Sequence, residues 1–199
     1  MILVYFAIPS LPGWAAKNWL PTLFSDHLHM PMSQAGPWST ISIAASSFVG
    51  VLLGGLLSDR WIQRSVKGRI YTGSLGLVLM VPSLILLGFG HSLEALLSAG
   101  ICFGLGYGMF DANNMPILCQ FVPGRQRATA YGLMNMAGVF SGAFITDYLG
   151  RATDAGHLGR DFAALAVLVL AVVILQLLVL KPRSYDFDHL PLAAESLHP

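Results

Sequence analysis

Two charged side chains stand inside long apolar runs and could do chemistry there, Lys17 and Asp111. A charge within a membrane helix costs about 2.5–3.5 kcal/mol on insertion scales, so it normally faces a cavity or a partner. Lys17 suits an anionic group. Asp111 suits hydroxyls, or a proton or sodium ion in transit. Amides and an indole accompany them. Trp14, Lys17 and Asn18 share one helix face by i, i+3 and i+4 spacing, in a run interrupted by Pro9, Pro12 and Pro21. Asp111 and Asn114 share a face, Asn113 lies beside them and Pro116 follows. On a later run Asn135 aligns with Tyr131 and Gly138. Plainer roles stay open for each. Lys17 can snorkel to an interface, Asp111 can be a structural hydrogen-bond partner, and Asn135 can join two helices.

Catalytic constellations are incomplete. The histidines, His27, His29, His91, His157, His189 and His198, fall between apolar runs or in the tail, and no H-E-x-x-H pair occurs. The run Gly104-Leu105-Gly106-Tyr107-Gly108 looks like part of a dinucleotide fingerprint but sits within an apolar run and follows no strand, so it reads as helix packing. Asp111 is expected toward the inner and Asp147 toward the outer side of the membrane, which argues against an intramembrane aspartyl protease. No enzyme, cofactor or metal site is expected.

These residues must be positioned by membrane helices. The chain is 55% hydrophobic and 11% charged, against about 25% charged in soluble domains. Six stretches approach the roughly 20 apolar residues that a bilayer needs: 1–24, 36–58, 71–90, 93–121, 129–149 and 162–180. The expected fold is an all-α membrane protein, with a six-helix domain over 1–183 and a disordered cytoplasmic tail over 184–199. The abrupt apolar start points to a longer parent chain. Cys102 and Cys119 would lie roughly 25 Å apart on one helix, too far for a disulfide. Net charge is +1, and the basic residues lie in short clusters between apolar runs, which gives no footing for nucleic acid.

Lys and Arg mark the loops retained in the cytoplasm. Arg60, Arg64, Lys67 and Arg69 fill the second loop, Arg125 and Arg127 the fourth, and Lys181 and Arg183 the tail, so both termini are expected inside. Counted by helical rise, Lys17 then falls in the outer third and Asp111 in the inner third of their helices, which argues against a direct salt bridge. The segment from Gly50 to Asp59 reads G-V-x-x-G-small-x-x-hydroxyl-D, and so does that from Gly138 to Asp147. Their opposite expected orientations fit inverted repeats of three helices each. The third and sixth runs, apolar on all faces apart from Gln176, read as lipid-facing supports. Trp19, Trp38, Trp61, Tyr71 and Tyr148 read as interface anchors.

At the second loop, Gly55-Leu56-Leu57-Ser58-Asp59-Arg60 is followed by Arg64, Lys67, Gly68 and Arg69. This resembles the loop signature G-x-L-a-D-R of the major facilitator superfamily, with Ile62 where the signature prefers glycine. Trp19-Leu20-Pro21-Thr22 and the run from Arg127 to Asn135 look like its sugar, sugar-acid and organic-anion branch. The resemblance implies the C-terminal half of a 12-helix ion-coupled symporter in the cell (inner) membrane, whose two halves rock about a central solute site. It would make Asp59 and Arg60 gating residues whose partner lies in the other half. The implied partners are a small solute, the lipid bilayer, and an N-terminal six-helix half or a second copy of this chain. Trp14, Lys17, Asn18, Asp111, Asn113, Asn114 and Asn135 are the candidate solute-binding residues. The other reading is a truncated or split membrane module that serves assembly without transporting.

Overall fold

The computed structural model describes residues 2–180; the expected tail and its basic residues lie outside them. Six long helices follow one another: α1 (Ile2–Leu28), α2 (Met32–Ile62), α3 (Gly68–Phe89), α4 (Leu93–Cys119), α5 (Arg127–Asp154) and α6 (Leu158–Val179), with a 3-10 turn, Gly124–Gln126, before α5. Among the described residues there is no strand. α2 to α6 are each long and apolar enough to cross a membrane. α1 has 27 residues, ample length for a bilayer, and Ser10, Lys17, Asn18 and three prolines interrupt its apolar run.

The helices outrun the apolar stretches that announce them. α1 continues to Leu28, α2 starts at Met32 and ends at Ile62, and α5 runs to Asp154. Once a helix is nucleated each further residue adds a backbone bond, so flanking polar residues extend it. α1 also passes through Pro9, Pro12 and Pro21 without a break, where an interruption was expected. Tight turns then reverse the chain. His29 (φ 50°) closes α1 and Gly156 (φ 71°) separates α5 from α6, while the Ser92 hydroxyl caps α4 by accepting from the Ala95 amide at 3.2 Å.

Lipid tails are as apolar as leucine, so membrane helices associate through close packing and interhelical hydrogen bonds. Small residues supply the close approach here. Gly50 and Gly54 of α2 lie against the backbone of Leu105 and Met109 in α4, and Gly104 and Gly108 of α4 lie against α2 at Ile43 and Ser47. The second copy of the motif does the same elsewhere: Gly138 and Gly142 of α5 lie against Ser10 and Trp14 of α1. The Gly104–Gly108 run is thus a packing feature, as its sequence implied.

α4 sits between α2 and α3, α3 packs on α6, and α1 packs chiefly on α5. The interior holds Phe24, Phe103, Phe110 and Phe162, all almost wholly buried. The third and sixth helices, expected as lipid-facing supports, each have an exposed apolar side, carrying Val78 and Ile85 of α3 and Val167 and Leu178 of α6, and a buried one. Within this chain α3 is the most buried of the five apolar spans, and α2 and α5 are the least. The reason is that α3 and α6 bury leucines, Met80 and Phe162 against each other and α4, whereas α2 and α5 leave Phe48, Leu56, Phe140 and Phe144 exposed. Gln176 is buried and its amide donates to the Ser74 hydroxyl of α3.

Candidate functional site

α1, α2, α4 and α5 enclose a concave surface of two bays. The larger, about 360 Å³, is lined by Lys17 and Pro21 of α1, Ser39, Thr40 and Ser47 of α2, and Tyr107 and Asp111 of α4. The smaller, about 140 Å³, lies toward α5 and is lined by Ser10, Trp14, Asn114 and Asn135 among others. Lys17, Tyr107 and Asp111 line both. They form the wall that the two bays share.

The geometry of this wall follows from local structure. Gly13 of α1 lies directly against the Tyr107 ring, which lets the ring pass close to α1 and reach Lys17. The Lys17 ammonium stands 5.2 Å from the Tyr107 ring centroid and 5.5 Å from that of Trp14, within cation–π range of both. Tyr107 is stacked in turn on Phe103, with centroids 6.1 Å apart. Pro21 has no N–H to offer the Lys17 carbonyl one turn earlier. On α4 the Asn114 amide donates to Asp111 Oδ1 at 3.0 Å. Asn114 Oδ1 is buried and has no partner.

With α1 ending at Leu28, Lys17 lies near the middle of its helix and not in the outer third, while Asp111 stays past the middle of α4. Both line one surface, although no salt bridge joins them.

The remaining candidates part company. Asn18 donates to the Thr146 hydroxyl of α5 at 2.8 Å, a tie between α1 and α5. Asn113 is 1% exposed, donates to the Met109 carbonyl of its own helix at 2.8 Å, and faces Gly73 of α3, away from both bays. Asp59 and Arg60 stand exposed at the C-terminal end of α2. Trp19, expected at an interface, instead packs beside Gly150 with its indole N–H buried and unpartnered.

Five polar liners were not among the candidates: Ser10, Ser39, Thr40, Ser47 and Tyr107. Tyr107 lies one turn before Asp111, on the same face, and that spacing was available as a signal. The hydroxyls of α2 carried none, because serine and threonine also bond their own helix. Ser39 donates to the Gly36 carbonyl at 2.9 Å in this way.

Among the described residues no cluster of three or more His, Cys, Asp or Glu could hold a metal. The surface offers one cation, one carboxylate, amides, hydroxyls and aromatic faces: the equipment to hold a small polar solute. Fold and site together define a helical membrane protein with a polar cavity among its helices. The chain belongs to the Major Facilitator Superfamily, whose model matches residues 1–146.

Three curated relatives match. One is the minor myo-inositol transporter IolF of Bacillus subtilis, 28% identical over 89% of this chain and 40% of its own length. Another is the cis,cis-muconate transport protein of Acinetobacter baylyi, 22% identical over 87% of this chain and 40% of its own. A third is the citrate-proton symporter of Klebsiella pneumoniae, 29% identical over 65% of this chain and 30% of its own. The chain therefore spans well under half the length of these relatives. All three are transporters and none is an enzyme.

Proposed function

We propose that this chain is one six-helix half of a secondary active transporter that moves a small polar solute, a sugar, sugar acid or organic anion, by ion-coupled alternating access. The observation that carries this reading is the Lys17–Tyr107–Asp111 wall common to two polar bays within a membrane bundle. A charge so placed needs water, solute or a partner, and these two charges do not pair with each other. In this reading Lys17, Trp14, Asn114 and Asn135 hold the solute, and Asp111 couples it to the ion. Asn18 and Asn113 support the site through the contacts they make. The relatives' names, which include an inositol transporter, a muconate transport protein and a citrate-proton symporter, fit hydroxylated and acidic solutes and proton coupling.

A single half provides one wall of a central cavity, so an N-terminal six-helix half or a second copy completes it. The exposed apolar faces of α2 and α5 are where it would seat, and Asp59 and Arg60 would gate the cytoplasmic side against it. The two motif copies support inverted repeats: each sets a pair of glycines against residues four apart on helices that the repeat would make equivalent, α4 and α1. The membrane is the cell (inner) membrane, with both termini cytoplasmic and residues 184–199 as a cytoplasmic tail.

The short span relative to the relatives favours one other reading, a split or truncated module that serves assembly. Reconstitution of the chain alone and with a complementary half, followed by solute uptake under an imposed ion gradient, separates the two. Gradient-driven uptake by either preparation supports transport, and its absence from both across inositol, muconate and citrate supports the assembly module.

A further inference from the structure

The end of the bundle where α1 turns into α2 and α3 into α4 carries two histidines from distant parts of the chain. His27 stands in the last turn of α1 and His91 between α3 and α4, with ring centroids 4.9 Å apart and planes tilted by 45°. Neither lines a solute bay. His27 Nδ1 lies 2.7 Å from the Gly90 carbonyl oxygen. That oxygen only accepts, so in the neutral imidazole Nδ1 carries the proton and Nε2 the lone pair. A metal-binding histidine is oriented by the same kind of bond from its other nitrogen. Nε2 of His27 makes no hydrogen bond and is not among the buried unpartnered polar atoms of the described residues, so it is open to solvent. His91 is exposed on its turn.

The spacing suits two imidazoles on one ion. A metal–nitrogen bond of about 2.0–2.1 Å puts each ring centre about 3.2 Å from the ion, so two rings on a tetrahedral ion stand about 5.2 Å apart. The 4.9 Å seen here is close to that. Exposed side chains change rotamer within nanoseconds, so His91 can turn a nitrogen to the ion while the backbone stays in place. Local charge does not oppose a cation: residues 25–35 and 90–98 include Asp26 and Glu94 and no Lys or Arg. Among the described residues no third His, Cys, Asp or Glu joins the pair, so water would complete the shell. Imidazole suits zinc, copper and nickel, whereas magnesium and calcium prefer oxygen.

We propose that His27 and His91 together bind one divalent transition-metal ion of the zinc and copper class, which ties the end of α1 to the α3–α4 turn. The test uses the full chain, without a polyhistidine tag, in nanodiscs. Zn²⁺ is titrated calorimetrically, and Cu²⁺ below one equivalent is read by electron spin-echo envelope modulation, which counts coordinated imidazoles. A site for one Zn²⁺ per chain is expected, unmoved by excess Mg²⁺, with two imidazoles on the copper. His91→Gln and His27→Gln should each weaken Zn²⁺ by about tenfold or more, since loss of even an outer-shell partner costs about 10–100-fold, and should remove the two-imidazole signal. His91 is exposed, so its variant remains informative if His27→Gln, which also gives up the bond to Gly90, fails to fold. His29→Gln should change neither readout. Unchanged Zn²⁺ affinity in His91→Gln, a single imidazole on copper in the unaltered chain, or loss of binding in His29→Gln overturns the proposal and leaves the two rings as a packing contact.

Discussion

Replacing Lys17 with methionine keeps the length of the stem and removes the charge. Among the described residues Lys17 is the one basic side chain lining either bay, so its loss should act selectively on anions. A hydrogen bond to a charged group contributes about 1.5–3 kcal/mol; a hydroxyl and a carboxylate would each make one to this ammonium, and the carboxylate adds its own charge. At 1.4 kcal/mol per factor of ten, Lys17→Met should weaken an anionic solute toward the upper end, about 150-fold, and an uncharged polyol toward the lower end, about tenfold. Gluconate and sorbitol form a matched pair of probes, titrated calorimetrically into the chain with its complementary half in nanodiscs. The lost contacts with Trp14 and Tyr107, about 0.5–1 kcal/mol each at an accessible site, should appear separately as a small drop in thermal stability. Equal weakening of both probes, or no weakening of either, would refute an anion-binding role for Lys17.

Three further outcomes are expected. Asp111→Asn retains a partner for Asn114 but cannot exchange a proton, so gradient-driven accumulation should collapse while solute exchange across proteoliposomes persists; retained accumulation would remove Asp111 from coupling. Gly54→Leu drives a side chain into the α4 backbone at Met109 and should destabilise by about 2–3 kcal/mol, whereas Gly55→Leu meets nothing within 4 Å and should be neutral or slightly stabilising in the same denaturation assay. Asn113→Ala should lower stability by about 1 kcal/mol without altering solute affinity, and Asn135→Ala should do the reverse in paired unfolding and binding measurements.

Much of this architecture was legible in the sequence because a bilayer forbids exposed backbone polar groups, so an apolar run of sufficient length has to be a helix. The helix ends were less legible. Residues such as Ser25–His27 and Thr153–Asp154 look like loop by composition, yet they continue helices already nucleated. Lys17 and Asp111 line the same surface, which counting rise from the apolar runs did not show. The polar faces of α1 and α4 were readable from i, i+3 and i+4 spacing, and Lys17, Trp14, Asp111 and Asn114 do line one surface. Spacing alone could not separate Asn113 from Asn114, because neighbouring positions on a helix differ by about 100° and which direction holds the cavity depends on where α3 packs. Which side of α3 and of α6 is buried in the bundle was hidden for a similar reason: an all-round apolar helix reads the same on the side that lipid covers and the side that another helix covers.

Thiol accessibility probes the solute surface most directly. With Cys102 and Cys119 replaced by alanine, single cysteines at Thr40, Asn135 and Asn113 would be exposed to a membrane-impermeant methanethiosulfonate in proteoliposomes. The two bay positions should label, and a bound solute should slow them, while the Asn113 position stays unreactive. Labelling of the Asn113 position at the rate of the other two, or inert thiols at both bay positions, would contradict a water-filled solute site between α1, α2, α4 and α5.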